Sequence, residues 1–227
     1  MRKFARQGYH VAVMARRPQT LAGVLASAHA REEAGETCRG FPVDAARASA
    51  MRVAFRDAQQ WAGETDVLIY NAAIFNECLA SKLTARLVAQ DMAVNLGGAL
   101  NAVGQVLPAM RRRRQGTILM TGGSLAFDPV PAWAALGVSK AALRNFALAL
   151  GKEVHADQVR VAIVEICGPI EAGGFFDPDR IAEIYWSAHA DRAQDSAQEI
   201  IYGPHTVRRF AAGHAPNIAA AAGGDLM

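Results

Sequence analysis

The sequence predicts an α/β fold, a doubly wound parallel sheet with helices on both faces, on three observations. Short, continuously apolar runs recur along the chain, helical patterns separate them, and glycines or other small residues gather just after them. A strand covered on both faces has no need to alternate polar with apolar side chains, so unbroken apolar runs spaced by helices argue for a parallel sheet. In such sheets ligands bind beyond the carboxyl ends of the strands.

Each element has its own reason. The segment 1–8 is charged and amphipathic, and Gly8 precedes the first apolar run, Val11–Ala15. A helical pattern over residues 19–33 leads to a strand end at "FPVDAA", and a second pattern covers 46–62. The run "TDVLIY" (65–70) is followed by one long helical pattern over 84–114, then by "GTILMT" (116–121). The next helix is expected over 139–155, and "VRVAIVEI" (159–166) is the strongest strand candidate because β-branched residues run through it. "DPDRIAEIYWSAH" reads as a helix and 200–202 as the last, edge strand. Beyond residue 203 an alanine and glycine run without a core-forming period suggests a largely disordered tail, 204–227, behind a single domain over 1–203.

Composition narrows the function classes. The 227 residues, 52% of them hydrophobic, suffice for one sizeable core. A net charge of +3 falls far short of the field that nucleic-acid binding by charge alone requires. Arg111 to Arg114 close a long helix, where they suit its dipole and are expected to be solvated. Cys38, Cys78 and Cys167 are widely separated and the six histidines scattered, which suggests neither a disulfide framework nor a metal site and fits a reducing cytoplasm. No apolar run approaches a membrane span, and the opening residues lack a signal peptide's apolar stretch.

The strand ends form a consistent set: "ARRP" with Arg16 and Arg17, "FPVDAA" with Asp44, "NAAIF" from Asn71, "TGGS" ending at Ser124, and "CGPIEAGG" from Cys167. Small residues there let a ligand approach the backbone closely. Together with "DVLIYNAA", "AVNLGGALN" and "GVSKAALRNFALALGKEV", these runs make the chain resemble a short-chain dehydrogenase/reductase over roughly residues 2–203. The resemblance implies a Rossmann-like sheet and an oxidoreductase that moves a hydride between NADP(H) and a carbonyl or alcohol. It assigns Lys140, Asn95 and Ser124 to catalysis, Ser124 only within a shift of one position since Gly123 is the alternative. It assigns Asn71, Ala72, Ala73, Lys140, Gly168, Pro169 and Ile170 to the cofactor, with Asp44 against the adenine or else capping the helix that follows it. Arg16 and Arg17 favour NADP over NAD, because arginines there would meet a 2'-phosphate. The helix carrying Lys140 implies a homodimer or homotetramer, and the face of Ala141, Ala142, Ala147 and Leu150 is most simply core.

Two departures qualify the resemblance. The family's first strand and its glycine-rich phosphate loop have no counterpart, and "MRKFARQGYHVAVMARR" looks like the end of the first helix running into the second strand. A start codon assigned too late or a truncated gene would explain it. Without that central strand, the strands at Val11 and Val67 would pair directly or keep unpaired backbone groups. Second, the family's tyrosine stands four residues before the lysine, where this chain has Leu136, which has no proton to give. Tyr185, expected in a lid, Asp128, Ser139 and water are the alternatives as donor, and packing or surface is the simpler reading of each side chain. The function therefore stays open between an oxidoreductase with an atypical proton donor and an inactive binding module or oligomer partner of the same fold. The pocket walls are expected from residues 127–136 and 170–189, including Trp133, Phe175, Phe176, Tyr185 and Trp186, which suggests an apolar or aromatic substrate.

Overall fold

A computed structural model describes residues 1–29, 37–190, 197–203 and 206–211 of the chain. Helix α1 (Arg2–Arg6) leads into β1 (Val11–Ala15), α2 (Pro18–His29), β2 (Cys38–Pro42), α3 (Ala48–Ala62) and β3 (Val67–Tyr70). Then come α4 (Ala85–Asn95), α5 (Gly97–Arg113), β4 (Gly116–Thr121), α6 (Ala134–Val154), β5 (Val159–Ile166), α7 (Pro178–Ala190), β6 (Ala197–Gly203) and β7 (Thr206–Ala211).

The described strands form two sheets. One is the parallel pair β1-β2; the other has the order β3-β4-β5-β6-β7, parallel as far as β6 and antiparallel at β7. β1 and β3 do not pair with each other, so of the two expected outcomes the structure takes the one that keeps two strand edges without a strand partner. The difference reaches burial. All five residues of β1 are half-buried, whereas β4 and β5 are buried almost throughout.

β5 sorts its side chains by alternation. Val159, Val161 and Ile163 pack with Leu143, Ala147, Leu150 and Val154 of α6, while Ala162, Val164 and Ile166 pack with Phe4, Ile181, Tyr185 and Ala188 on the other face. Helices therefore cover both faces, as the apolar runs predict. Among the described residues no helix is long and apolar enough to cross a membrane.

Several expectations are corrected. The single pattern over 84–114 is two helices, α4 and α5, that meet at Leu96. The Tyr70 hydroxyl donates to the Val94 carbonyl at 2.5 Å and fills the space beside Gly98, where a Cβ would collide with it. That carbonyl would otherwise accept from Gly98 in a continuous helix. α6 begins five residues before the expected start, at Ala134. The strand around 200–202 is not the edge: β6 lies between β5 and β7, and β7 occupies part of the expected tail, whose residues 212–227 lie outside the described ones. The expected helix over 19–33 is described only as far as His29. Of the small-residue face on α6, Ala147 and Leu150 are core, but Ala141 is exposed and Ala142 half-buried.

Candidate active site

Four elements meet at the carboxyl ends of β3, β4 and β5, and Asn95 ties three of them together. Its side-chain oxygen accepts from the Ile74 amide at 2.8 Å, and its amide nitrogen donates to the Ile74 carbonyl at 3.3 Å and to Ser139 Oγ at 2.8 Å. Ser139 in turn donates to the Leu136 carbonyl at 2.9 Å. One buried amide thus fixes the loop that follows Asn71, Ala72 and Ala73 against the start of α6, leaving Asn71 and Ala72 exposed beside it. Asn76, two residues on from Ile74, donates to buried Asp91 at 2.5 Å.

Lys140 is one residue beyond Ser139 and buried, and its Nζ donates to the Thr121 carbonyl at 2.7 Å. Burial lowers its proton affinity and the charge of Glu165 opposes that effect. The early start of α6 puts Leu136 one turn before Lys140 on the same helical face, 3% exposed. Ser124 opens a 3-10 turn just after the glycines of β4's end, and its carbonyl accepts from Phe127 and Asp128.

Sequence reasoning missed the most heavily buried ionisable groups here. Glu165 of β5 is fully buried on the α6 side of the sheet, where Gly123 N–H donates to its Oε2 and where a Cβ on Gly122 would overlap its carboxyl. Its Oε1 has no hydrogen-bond partner. Burial pushes its carboxyl up to about 8, with the Gly123 amide pulling down, the neighbouring Glu199 pushing up, and Lys140 and Arg144 pulling down. Glu199 of β6 is paired with Arg144, one turn beyond Lys140, through bonds of 2.5 and 2.9 Å. The half-buried Cys167 thiol is pushed up to about 12 by burial and by both glutamates, which makes it an inert neighbour. A carboxylate at the seventh place of an eight-residue apolar run was the available signal for Glu165.

Other assigned residues lie on the same edge of the fold or have other work. Gly168 holds Phe176 so closely that a Cβ would collide with the ring, while Pro169 and Ile170 are exposed. Arg16 and Arg17 are exposed and follow β1, at the end of the smaller sheet. Asp44 does not cap a helix: its carboxylate accepts from Ala46 at 3.1 Å in a turn, and α3 starts later, at Ala48. Tyr185 is no lid residue. It lies in the core against α7's partners and shares a 2.6 Å hydrogen bond with Thr121 Oγ1, and burial pushes its phenol upward. Phe176 is likewise buried and Trp186 packs on Phe4, so neither is a free pocket wall. Asp128 is exposed. Arg111 and Arg113 pair with Glu153, Asp157, Glu64 and Asp66, as a solvated helix end would.

The profile of the family described as short chain dehydrogenase matches residues 1–174. The chain belongs to the short-chain dehydrogenase family. It is similar to 2,3-dihydro-2,3-dihydroxybenzoate dehydrogenase of Bacillus subtilis, 29% identical over 202 residues that cover 89% of this chain and 71% of that one. The Escherichia coli protein of the same name is 35% identical over 99 residues, 44% of this chain and 40% of that one. A metagenomic short-chain oxidoreductase solved in complex with NADP superposes with a TM-score of 0.78 at 24% identity, covering 90% of each chain. An NADPH-bound short-chain oxidoreductase from Pseudomonas aeruginosa, described as containing an atypical catalytic center, superposes with a TM-score of 0.69 at 21% identity, covering 87% of this chain and 72% of that one. The Rossmann-like fold is therefore that of the family, with membership in an oxidoreductase family as its coarsest functional consequence.

Proposed function

We propose that the chain is an NADP(H)-dependent oxidoreductase acting on an apolar carbonyl or alcohol, without a tyrosine as proton donor. The observation that carries this reading is the buried Lys140 ammonium, held by the Thr121 carbonyl at the strand ends and locked beside the Asn95 bridge. A charge kept out of water at such cost points to a ligand's needs more than to stability. Around it, the residues present fit a dinucleotide in part. Ala72 and Ala73 would let a flat ring approach the backbone, Lys140 would hold the ribose, and Arg16 and Arg17 would meet a 2'-phosphate. None of these residues forms a glycine-rich turn of the kind that holds a pyrophosphate.

When bound, the nicotinamide would accept or supply the hydride. Asn95 keeps the Ile74 loop in register with α6, and Lys140 offers a proton-bearing ammonium. Exposed Phe75, Leu79, Val130, Ile170 and Phe175, from the loops after β3, β4 and β5, supply an apolar rim for the substrate. Exposed Leu100 and Val138, on α5 and α6, suit a homo-oligomer. Leu136 favours a second reading, an inactive binding module of the same fold.

Binding and turnover separate the two. NADPH titration followed by fluorescence should give saturable binding that is tighter than for NADH, and Arg16→Ala with Arg17→Ala should remove that preference. Losing a charge-assisted bond costs about 1.5–3 kcal/mol, roughly tenfold or more in affinity. Carbonyl-dependent NADPH oxidation, abolished by Lys140→Ala, supports the enzyme. NADPH binding without oxidation across a panel of apolar ketones and quinones supports the module.

A further inference from the structure

The loop after β3 alternates with a period of two. Ile74, Asn76 and Cys78 are half-buried while Phe75, Glu77 and Leu79 are exposed, as in an extended segment with one face packed. Each inward residue has its own anchor. The Ile74 amide and carbonyl both bond Asn95, Asn76 donates to Asp91 one turn earlier on α4, and the Cys78 amide donates to the Ala132 carbonyl at 2.8 Å. Cys78 thereby pairs with Trp133 in a parallel bridge, just before α6 begins. Asp91 is fully buried, and its second oxygen has no hydrogen-bond partner. A polar oxygen kept bare in the interior costs stability, and what the fold gains there is a loop held in one shape.

The outward face of that loop combines apolar and charged groups. Phe75 is 66% exposed and Leu79 51%. Glu77 lies between them, and alternate side chains of an extended segment stand about 7 Å apart. Among the described residues no hydrogen bond or ion pair engages the Glu77 carboxylate. An aromatic face and a free carboxylate at that spacing both attract a cation, and the two apolar side chains attract a flat ring. The face adjoins the candidate site through Asn95, which joins Ile74 to Ser139, the residue before Lys140.

Resting on the oxidoreductase reading above, we propose that Phe75, Glu77 and Leu79 form the specificity-determining wall of the substrate site, and that the substrate is an aryl ketone, or the matching alcohol, that carries a positive charge. The aryl group lies against Phe75 and Leu79, and the charge sits at Glu77. A substrate with a negative charge in that place meets Glu77 as a like charge and is rejected. The three residues take no part in hydride or proton transfer and set only which carbonyl is held. The anchors at Ile74, Asn76 and Cys78 fix the wall before a ligand arrives, so little ordering is left for binding to supply.

The test uses the full chain and a set of acetophenones that differ only at the para position, which bears trimethylammonium, methyl or carboxylate. With NADP+ present, calorimetry should show the ammonium ketone binding about tenfold more tightly than the carboxylate ketone. In Glu77→Gln the two should come within about threefold of each other. Raising the salt from about 0.02 to 0.5 M should narrow the gap in the parent. Phe75→Ala should weaken the ammonium and methyl ketones about fivefold. Both side chains are exposed, so unchanged urea midpoints check that the variants fold. NADPH oxidation should follow the same order in kcat/KM. Equal binding of all the ketones by the parent, or an ammonium preference that survives Glu77→Gln, overturns the wall and leaves the oxidoreductase reading standing. Selective binding with no NADPH oxidation by any ketone overturns the oxidoreductase reading and keeps the wall as a ligand site. A parent chain that binds neither NADP+ nor any of the ketones overturns both.

Discussion

Glu165 is a stability determinant, and the direction of its effect follows from where its proton sits. In the unfolded chain the carboxyl titrates near 4.5, and in the folded protein burial moves it to about 8. Between those values the folded state holds a proton that the unfolded state has released, so stability falls as pH rises from about 4.5 to about 8 and is flat outside that window. Each unit of difference corresponds to about 1.4 kcal/mol, so the whole span amounts to a few kcal/mol. Glu165→Gln keeps the shape and removes the titration, and should therefore be the more stable protein at pH 9 while losing the decline between pH 5 and 8. Urea denaturation at both pH values checks it; parallel curves for the two proteins would assign the decline to other groups. At this scale the sequence was legible for Lys140 and Asn95, because their neighbours form recognisable runs. It was opaque for Glu165, whose burial depends on the side-chain-free Gly122 at the end of the neighbouring strand. Tyr185 shows the converse: its residue type fits an acid, and only packing reveals that α7 turns it into the core.

At the scale of elements, the site depends on the junction among the loop after β3, the end of α4 and the start of α6. The same β3 holds both halves of it. Tyr70 ends α4 by drawing off the Val94 carbonyl, which sets Asn95 at the last turn, and Asn95 then returns to the loop that follows Tyr70. Asn95→Ala would strip the Ile74 amide and carbonyl of their side-chain partner and leave Ser139 Oγ with the Leu136 carbonyl alone. Each unsatisfied group costs about 1–3 kcal/mol. The expected result is a loss of roughly 2–5 kcal/mol in urea unfolding, together with weaker NADPH binding as the Ala72–Ala73 loop loosens. Asn95→Asp should recover part of the loss, because an aspartate still accepts from Ile74; equal stability of the Ala variant and the parent would show that the bridge is dispensable. A uniform apolar and small-residue pattern over 84–114 hides this junction from sequence reasoning, since the break comes from a hydroxyl on a different strand. The strands, by contrast, were legible because burial on both faces leaves a direct compositional mark: β1, β4 and β5 have the boundaries that their apolar runs suggest.

Across the whole molecule, the described strands are divided between two sheets, and the division predicts where the fold is least cooperative. β3 through β6 sit in a parallel array with β4 and β5 buried between α6 and α7. β1 pairs only with β2, and its residues are half-buried. Side chains link this pair to the rest. Phe4 packs edge-on against Tyr9 and Trp186, the Tyr9 hydroxyl meets His189 Nε2 at 2.7 Å, and His189 Nδ1 meets Thr117 of β4 at 2.9 Å. On the other side His10 and Phe41 lean on Trp61 of α3. Backbone bonds shielded by few buried contacts open more often than those in a packed array, so amide exchange should be faster in β1 and β2 than in β4 and β5. Phe4→Ala removes the ring at the centre of the first link and costs about 3–5 kcal/mol where the side chain is buried. Hydrogen exchange on that variant should show protection lost first over residues 11–15 and 38–42 and retained over 116–121 and 159–166. Loss of protection at one common rate across all four strands would mean that the two sheets open as a single unit, and that Arg16 and Arg17, proposed to meet the cofactor, are as firmly held as Lys140.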